Sequence, residues 1–180
     1  MDSDLTLIVD ELNRNIRSVK CEQLDALVDM IINANRVYTY GCGRSGFAMM
    51  SFGMRIMHLG KECHYVHDTC VPPIKADDLL IIASGSGNTD STFAIAERGR
   101  RLGCKVVLVS ENKDSRIGRI ATMCLEMPWD RTSLQPLGNC YDQTQNVVLD
   151  TVIFKAMNKM VSTKQSWIRI TQILDRKSVV

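Results

Sequence analysis

Apolar residues recur along this chain with two different periods. Leu5, Ile8, Val9, Leu12 and Ile16 fall at helical spacing, as do Leu24, Leu27, Val28, Ile31 and Ile32. They predict two N-terminal helices with a break near Cys21. Beyond them the pattern changes to short, nearly continuous apolar runs: Arg36–Gly41, Cys63–Val66, Asp78–Ala83, Lys105–Ser110 and Met123–Met127. Each is strand length, and helical stretches separate most of them. One helix carries Met49 to Leu59, a second runs to Leu102 and stops at Gly103, and a long final helix carries Val148, Val152, Ile153, Ala156, Met157 and Met160. Strands without polar alternation are buried on both faces, which is the habit of a parallel sheet under helices. The expected fold is therefore α/β, a three-layer α-β-α sandwich around a five-stranded parallel sheet. It forms one domain over 1–180, with N-terminal helices in 1–35, an α/β core in 36–130 and a helical C-terminal part in 131–180.

Ligands of such sheets bind beyond the carboxyl ends of the strands, and two glycine- and serine-rich loops fall at such ends. The first, "GCGRSG", follows the first strand and places Gly41, Gly43 and Gly46 in the spacing G-x-G-x-x-G. A dinucleotide fingerprint also asks for an acid about 20 residues on, and Asp68 lies 22 residues after Gly46. The motif is short, however, and Arg44-Ser45 set a cation and a hydroxyl where phosphate alone is the better target. The second loop, "SGSGNT", follows the third strand. Its glycines bring backbone N–H groups close to a ligand. Ser84, Ser86 and Thr89 add hydroxyls, and a helix starting near Asn88 aims its positive end at the same place. Capping that helix needs one such residue, and the loop offers four. The set suits a phosphate monoester, and it lacks the lysine of a triphosphate-binding loop.

Composition narrows the classes of function. The net charge of +2 and the absence of a Lys/Arg run argue against nucleic acid and membrane surfaces. No apolar stretch approaches the roughly 18 residues that suggest a membrane span, and the acidic, amphipathic start is unlike a signal peptide. Seven cysteines, an odd number without C-x-x-C spacing, fit reduced thiols and a cytoplasmic location. "CHYVHDTC" gathers Cys63, His64, His67, Asp68 and Cys70, but neighbours on a strand point to opposite faces. Too few ligands converge for a structural zinc, so no metal is expected. The helical methionines are expected in the core or at a subunit interface.

Taken in order, "GCGRSG", "MRIMHLGKECHYV", "DDLLIIASGSGNT" and "PLGNCYDQT" resemble a sugar isomerase (SIS) domain, and more narrowly the 6-phospho-3-hexuloisomerase family. The resemblance covers nearly the whole chain. "MRIMHLG" (Met54–Gly60) and the "PLG" loop (Pro136–Gly138) before an acid are what narrow it. It implies a homotetramer with sites lined by neighbouring subunits. It also implies interconversion of 3-hexulose 6-phosphate and fructose 6-phosphate with no metal or organic cofactor. Carried over by position, the phosphate cradle is Ser45, Ser84, Gly85, Ser86 and Thr89, with Gly43 and Arg44 beside it. Asp142 stands where the family has a glutamate, and an N-cap role for it on the final helix is an equal alternative. Gln143 is a candidate for orienting ligand hydroxyls. The family's C-terminal histidine is matched by Thr171, in Ile170–Asp175, which cannot titrate near neutrality. His58, inside the matched helix motif, is a candidate partner acting within the chain or from a neighbouring subunit. These two departures leave open a second class, a non-catalytic sensor that binds a sugar phosphate, and also an isomerase of a different ketose phosphate.

Overall fold

In the computed structural model, which describes residues 2–128 and 132–160, five short runs pair into one sheet. They are β1 (Val37–Gly41), β2 (Cys63–Tyr65), β3 (Leu79–Ala83), β4 (Lys105–Ser110) and β5 (Met123–Glu126), in the order β2-β1-β3-β4-β5 and all parallel. β1 and β3 are buried at every position. Along β3 the side chains alternate between two cores: Leu79, Ile81 and Ala83 face one, Leu80 and Ile82 the other. Helices α2 (Cys21–Asn33), α3 (Gly43–His58) and α5 (Asn139–Met160) fill the first core. Helix α4 (Asp90–Arg101) and the segments around Val71–Ile74 and Ile117–Ala121 cover the second. The three layers are those expected from unbroken apolar strands.

Helix α1 (Ser3–Arg17) lies outside this sandwich and reaches the C-terminal part of the chain. Its buried Glu11 accepts hydrogen bonds from Ser133 Oγ at 2.6 Å, the Leu134 N–H at 3.0 Å and Gln135 Nε2 at 2.9 Å. The Ser133 hydroxyl, helped by the other donors, outweighs burial and holds this carboxyl below its usual range. A charge on α1 thereby fixes the segment that leads into α5.

The register aligns the strand ends. Gly41 pairs with Ala83, and Ala83 with Val109, so three adjacent strands finish level. The chain leaves β1 toward β2 on one side and returns to β3 on the other. Between β1 and β3 the winding reverses, which opens a crevice at their carboxyl ends. Both glycine- and serine-rich loops flank that crevice. α3 begins at Gly43, earlier than its first methionine, because the loop residues Gly43 to Gly46 already form its first turn.

Candidate functional site

Loop Ser84–Thr89 is held from below. The Ser84 N–H donates to the Val109 carbonyl at 3.1 Å, continuing the β3–β4 ladder past the strand. Ser110 Oγ and the Glu111 N–H both donate to the Gly85 carbonyl, at 2.9 and 3.1 Å. Gly87 is required twice over: its φ is +66°, and a Cβ there would lie 2.0 Å from Ser115 Oγ. Thr89 occupies the N-cap position of α4, yet its hydroxyl makes no capping bond and instead meets Ser84 Oγ at 3.1 Å. Ser86 Oγ accepts the Asn88 N–H at 3.2 Å. A simple capping role does not account for Ser84 and Thr89, whose hydroxyls face one another across the loop in front of a helix N-terminus.

The first loop serves packing. A Cβ on Gly46 would stand 2.5 Å from the Gly41 carbonyl oxygen, so the strand and the start of α3 touch at a distance only glycine permits. Two of the three glycines in G-x-G-x-x-G thus bring α3 against β1. Asp68, the acid that completed the dinucleotide pattern, lies instead beside Met50, Met54 and Cys63 on a different cavity.

A third segment closes the site. Pro136–Gly138 forms a 3₁₀ turn with φ of +55° at Leu137 and +73° at Gly138, and α5 starts directly after it. Asp142 lies in the first turn of α5, not at its N-cap, so the capping alternative for it is set aside. Arg44 Nε approaches Asp142 Oδ2 at 2.9 Å, and Ser45 Oγ lies 3.5 Å from Oδ1. The remaining guanidinium nitrogens of Arg44 donate to Asn139 Oδ1 and to the Leu137 carbonyl. Burial pushes the Asp142 carboxyl above its ordinary range, and the Arg44 charge and Ser45 hydroxyl offset only part of that.

These segments enclose a cavity of about 210 Å³ lined by Arg44, Ser45, Gly85, Ser86, Glu111, Leu137, Gly138, Tyr141 and Asp142. Five of the sequence-predicted residues line it directly. Ser84 and Thr89 adjoin it on the same loop, and Gly43, at φ +58°, starts α3 beside it. Gln143 does not line this cavity: one residue past Asp142 is about 100° further round the helix, and its Oε1 is buried without a hydrogen-bond partner. His58 is at the far end of α3, 13 residues beyond Ser45, or roughly 20 Å along the axis at ~1.5 Å per residue. Within one chain it does not reach the site. Thr171 lies outside the described residues.

Two lining residues were not singled out by the sequence. Tyr141 is buried, its ring packs on Gly85, and its hydroxyl donates to the Val109 carbonyl at 3.0 Å. Burial holds that phenol well above its usual pKa, and its bond to the Val109 carbonyl braces the floor of the cavity. Glu111 directly follows β4, and its place at a strand's carboxyl end was the signal that could have found it. The "CHYVHDTC" cluster separates as a strand dictates: Cys63 packs toward α3 while the His64 ring lies 5.4 Å from Tyr38 on the opposite face. Among the described residues no three His, Cys, Asp or Glu side chains are grouped to hold a metal, and no helix is long and apolar enough to cross a membrane.

Residues 30–156 match the family described as SIS domain. The chain is 36% identical over 160 residues to 3-hexulose-6-phosphate isomerase of Bacillus subtilis, covering 84% of this chain and 86% of that one. Among solved structures it superposes on a hypothetical protein of Methanococcus jannaschii, described as having an inferred function of 3-hexulose-6-phosphate isomerase. The TM-score is 0.81 at 28% identity, over 89% of this chain and 95% of that one. The sugar isomerase domain of an RpiR transcription factor from Sphaerobacter thermophilus shares the fold, with a TM-score of 0.76 at 18% identity over 96% of each chain.

Proposed function

The chain belongs to the SIS-domain family, and on that footing we propose that it is a phosphosugar isomerase interconverting 3-hexulose 6-phosphate and fructose 6-phosphate through an enediol. The observation that carries this reading is the position of Asp142, a half-buried carboxylate with raised proton affinity, on the same small cavity as the Ser84–Thr89 loop. The loop hydroxyls, Ser45 and the N-terminus of α4 hold the phosphate. The sugar then extends toward α5. Asp142 takes the proton from the carbon beside the carbonyl and returns it to the former carbonyl carbon, while the hydroxyl proton passes to the former carbonyl oxygen through the enediol, so the carbonyl shifts between carbons 2 and 3. A base for this step works best with a pKa near the operating pH, and desolvation moves a carboxylate that way. Glu111 is a second carboxylate on the same cavity.

The site is proposed to work without metal or organic cofactor, inside a homotetramer in the cytoplasm. The exposed apolar residues Phe47, Met50 and Met54 of α3 and Val147 and Phe154 of α5 supply surface for that assembly. His58 would enter a site only from a neighbouring subunit. A second reading, a sugar-phosphate sensor without turnover, draws on the fold shared with the RpiR regulator.

Replacing Ser84 and Ser86 together by alanine tests the cradle. Bonds to a charged group are each worth ~1.5–3 kcal/mol, and part is offset by the Ser84–Thr89 and Ser86–Asn88 bonds already present. Fructose 6-phosphate affinity should fall by about 3 kcal/mol, roughly a hundredfold, by calorimetry. Unchanged affinity would remove the loop from the site.

A further inference from the structure

Resting on the reading of Asp142 as the base, we infer that Arg44 is a positioning residue: its guanidinium clamps the Pro136–Gly138 turn and sets the charge state of Asp142, and it is not a ligand of the phosphate. The geometry commits all three guanidinium nitrogens in one direction. Nε goes to Asp142 Oδ2 at 2.9 Å, and the two terminal nitrogens go to Asn139 Oδ1 and the Leu137 carbonyl. None bonds to the Ser84–Thr89 loop. The three acceptors lie within six residues at the start of α5, whereas the donor belongs to α3. One planar fork thus ties the helix that bears the base to the helix that opens beside the phosphate cradle.

The turn needs such a tie. Leu137 has a left-handed backbone, unfavourable for a residue with a Cβ, and its side chain is 89% exposed, so no apolar packing fixes it. On its upstream side Glu11 holds Ser133, Leu134 and Gln135. On its downstream side Arg44 holds Leu137 and Asn139. The segment carrying Asp142 is pinned at both ends, once by an anion and once by a cation.

The same bond tunes the carboxylate. Among the described residues, Arg44 and Ser45 from α3 contact Asp142, and Glu111 from the end of β4 and Tyr141 from its own helix line the same cavity. Arg44 is the cation among them. Burial favours the protonated acid, and the guanidinium favours the ionised base. Removing Arg44 takes away the larger of the two effects that oppose burial, and burial raises proton affinity. Asp142 then stays protonated to higher pH and is a poorer base at neutrality.

Arg44→Met and Arg44→Lys separate this role from phosphate binding. The Asp142 carboxyl signal is followed by carbon NMR across pH and assigned by its loss in Asp142→Asn. It should titrate at higher pH in Arg44→Met and at an intermediate position in Arg44→Lys, which keeps the charge without the fork. The acid limb of kcat/KM should move upward in parallel, so that activity lost at neutral pH returns on raising pH. Affinity for inorganic phosphate, by calorimetry, should stay within about twofold of wild type. The inference is overturned if phosphate affinity falls tenfold or more while the Asp142 titration stays in place. If Arg44→Met does not fold, Arg44→Lys alone decides by the same readouts. If the wild-type protein shows no turnover, the isomerase reading fails, yet the titration of Asp142 still reports whether Arg44 sets it.

Discussion

At the amino ends of the strands Arg36 and Asp78 form an ion pair, and at the carboxyl ends Arg44 and Asp142 form another. Both join an arginine near an end of β1 with an aspartate near the start of a core element, Asp78 directly before β3 and Asp142 in the first turn of α5. In the first pair Arg36 Nε and a terminal nitrogen reach the two carboxylate oxygens at 3.1 and 2.8 Å. Asp78 also accepts the Lys75 N–H at 2.7 Å and Asn35 Nδ2 at 3.3 Å, and its side chain is fully buried. Burial pushes that carboxyl up, but the Arg36 and Lys75 bonds more than cancel it, and its pKa lies below the ordinary value. Asp142 has a single arginine bond and one long serine contact on a cavity wall, and for it burial wins. One pair is a staple between β1 and β3 whose acid holds no proton at working pH. The other leaves an acid whose proton affinity is raised. The count of donors, more than the presence of an arginine, separates structure from chemistry.

The comparison can be broken at either end. Asp142→Asn should lower turnover by roughly 10³-fold or more, within the range of general-base catalysis, while fructose 6-phosphate affinity changes only a few-fold. Turnover near the wild-type rate would move the base elsewhere. Asp78→Ala leaves Arg36 without its bidentate partner and should cost about 3 kcal/mol of folding stability, read from denaturant unfolding. A loss below about 1 kcal/mol would make this pair equivalent to an exposed one. The smallest effect is the most discriminating, because its sign differs between the two sites. Asp78 has a depressed pKa, so its contribution is present above the ordinary aspartate value and is lost as pH falls through the folded value. The stability deficit of Asp78→Asn should therefore shrink in acid. Asp142 has a raised pKa, so its ionisation costs stability as pH rises through the folded value. Asp142→Asn should be more stable than wild type at neutrality, and that gain should vanish in acid. Thermal melts across pH check both signs.

Much of the fold was written in the apolar pattern. Runs such as "DLLIIA" and "KVVLVS" admit few readings other than buried strands, and β3 and β4 appear within a residue of them. The start of α3 was harder, because Gly43, Arg44 and Ser45 carry no apolar period and look like loop while already forming a helical turn. The Ser84–Thr89 loop was legible as a site candidate from its residue types, hydroxyls and glycines before a helix, and its Gly85 and Ser86 line the same cavity as Asp142. Glu111 was legible only from its place directly after β4, at a strand's carboxyl end, because nothing else nearby distinguishes a carboxylate on a site from one in solvent. Gln143 was misleading for the opposite reason: adjacency in sequence to Asp142 does not give adjacency on a helix. Nor did the sequence show that Arg44 bonds to Leu137, Asn139 and Asp142 and not to the Ser84–Thr89 loop, which depends on the path of a turn nearly a hundred residues later.

Fructose 6-phosphate incubated with the pure protein in deuterated water tests the central claim most directly. The account predicts loss of the proton signal at carbon 3, and retention of that signal with Asp142→Asn. Tight binding with no exchange by the wild-type protein would contradict it and leave a sensor in place of an isomerase.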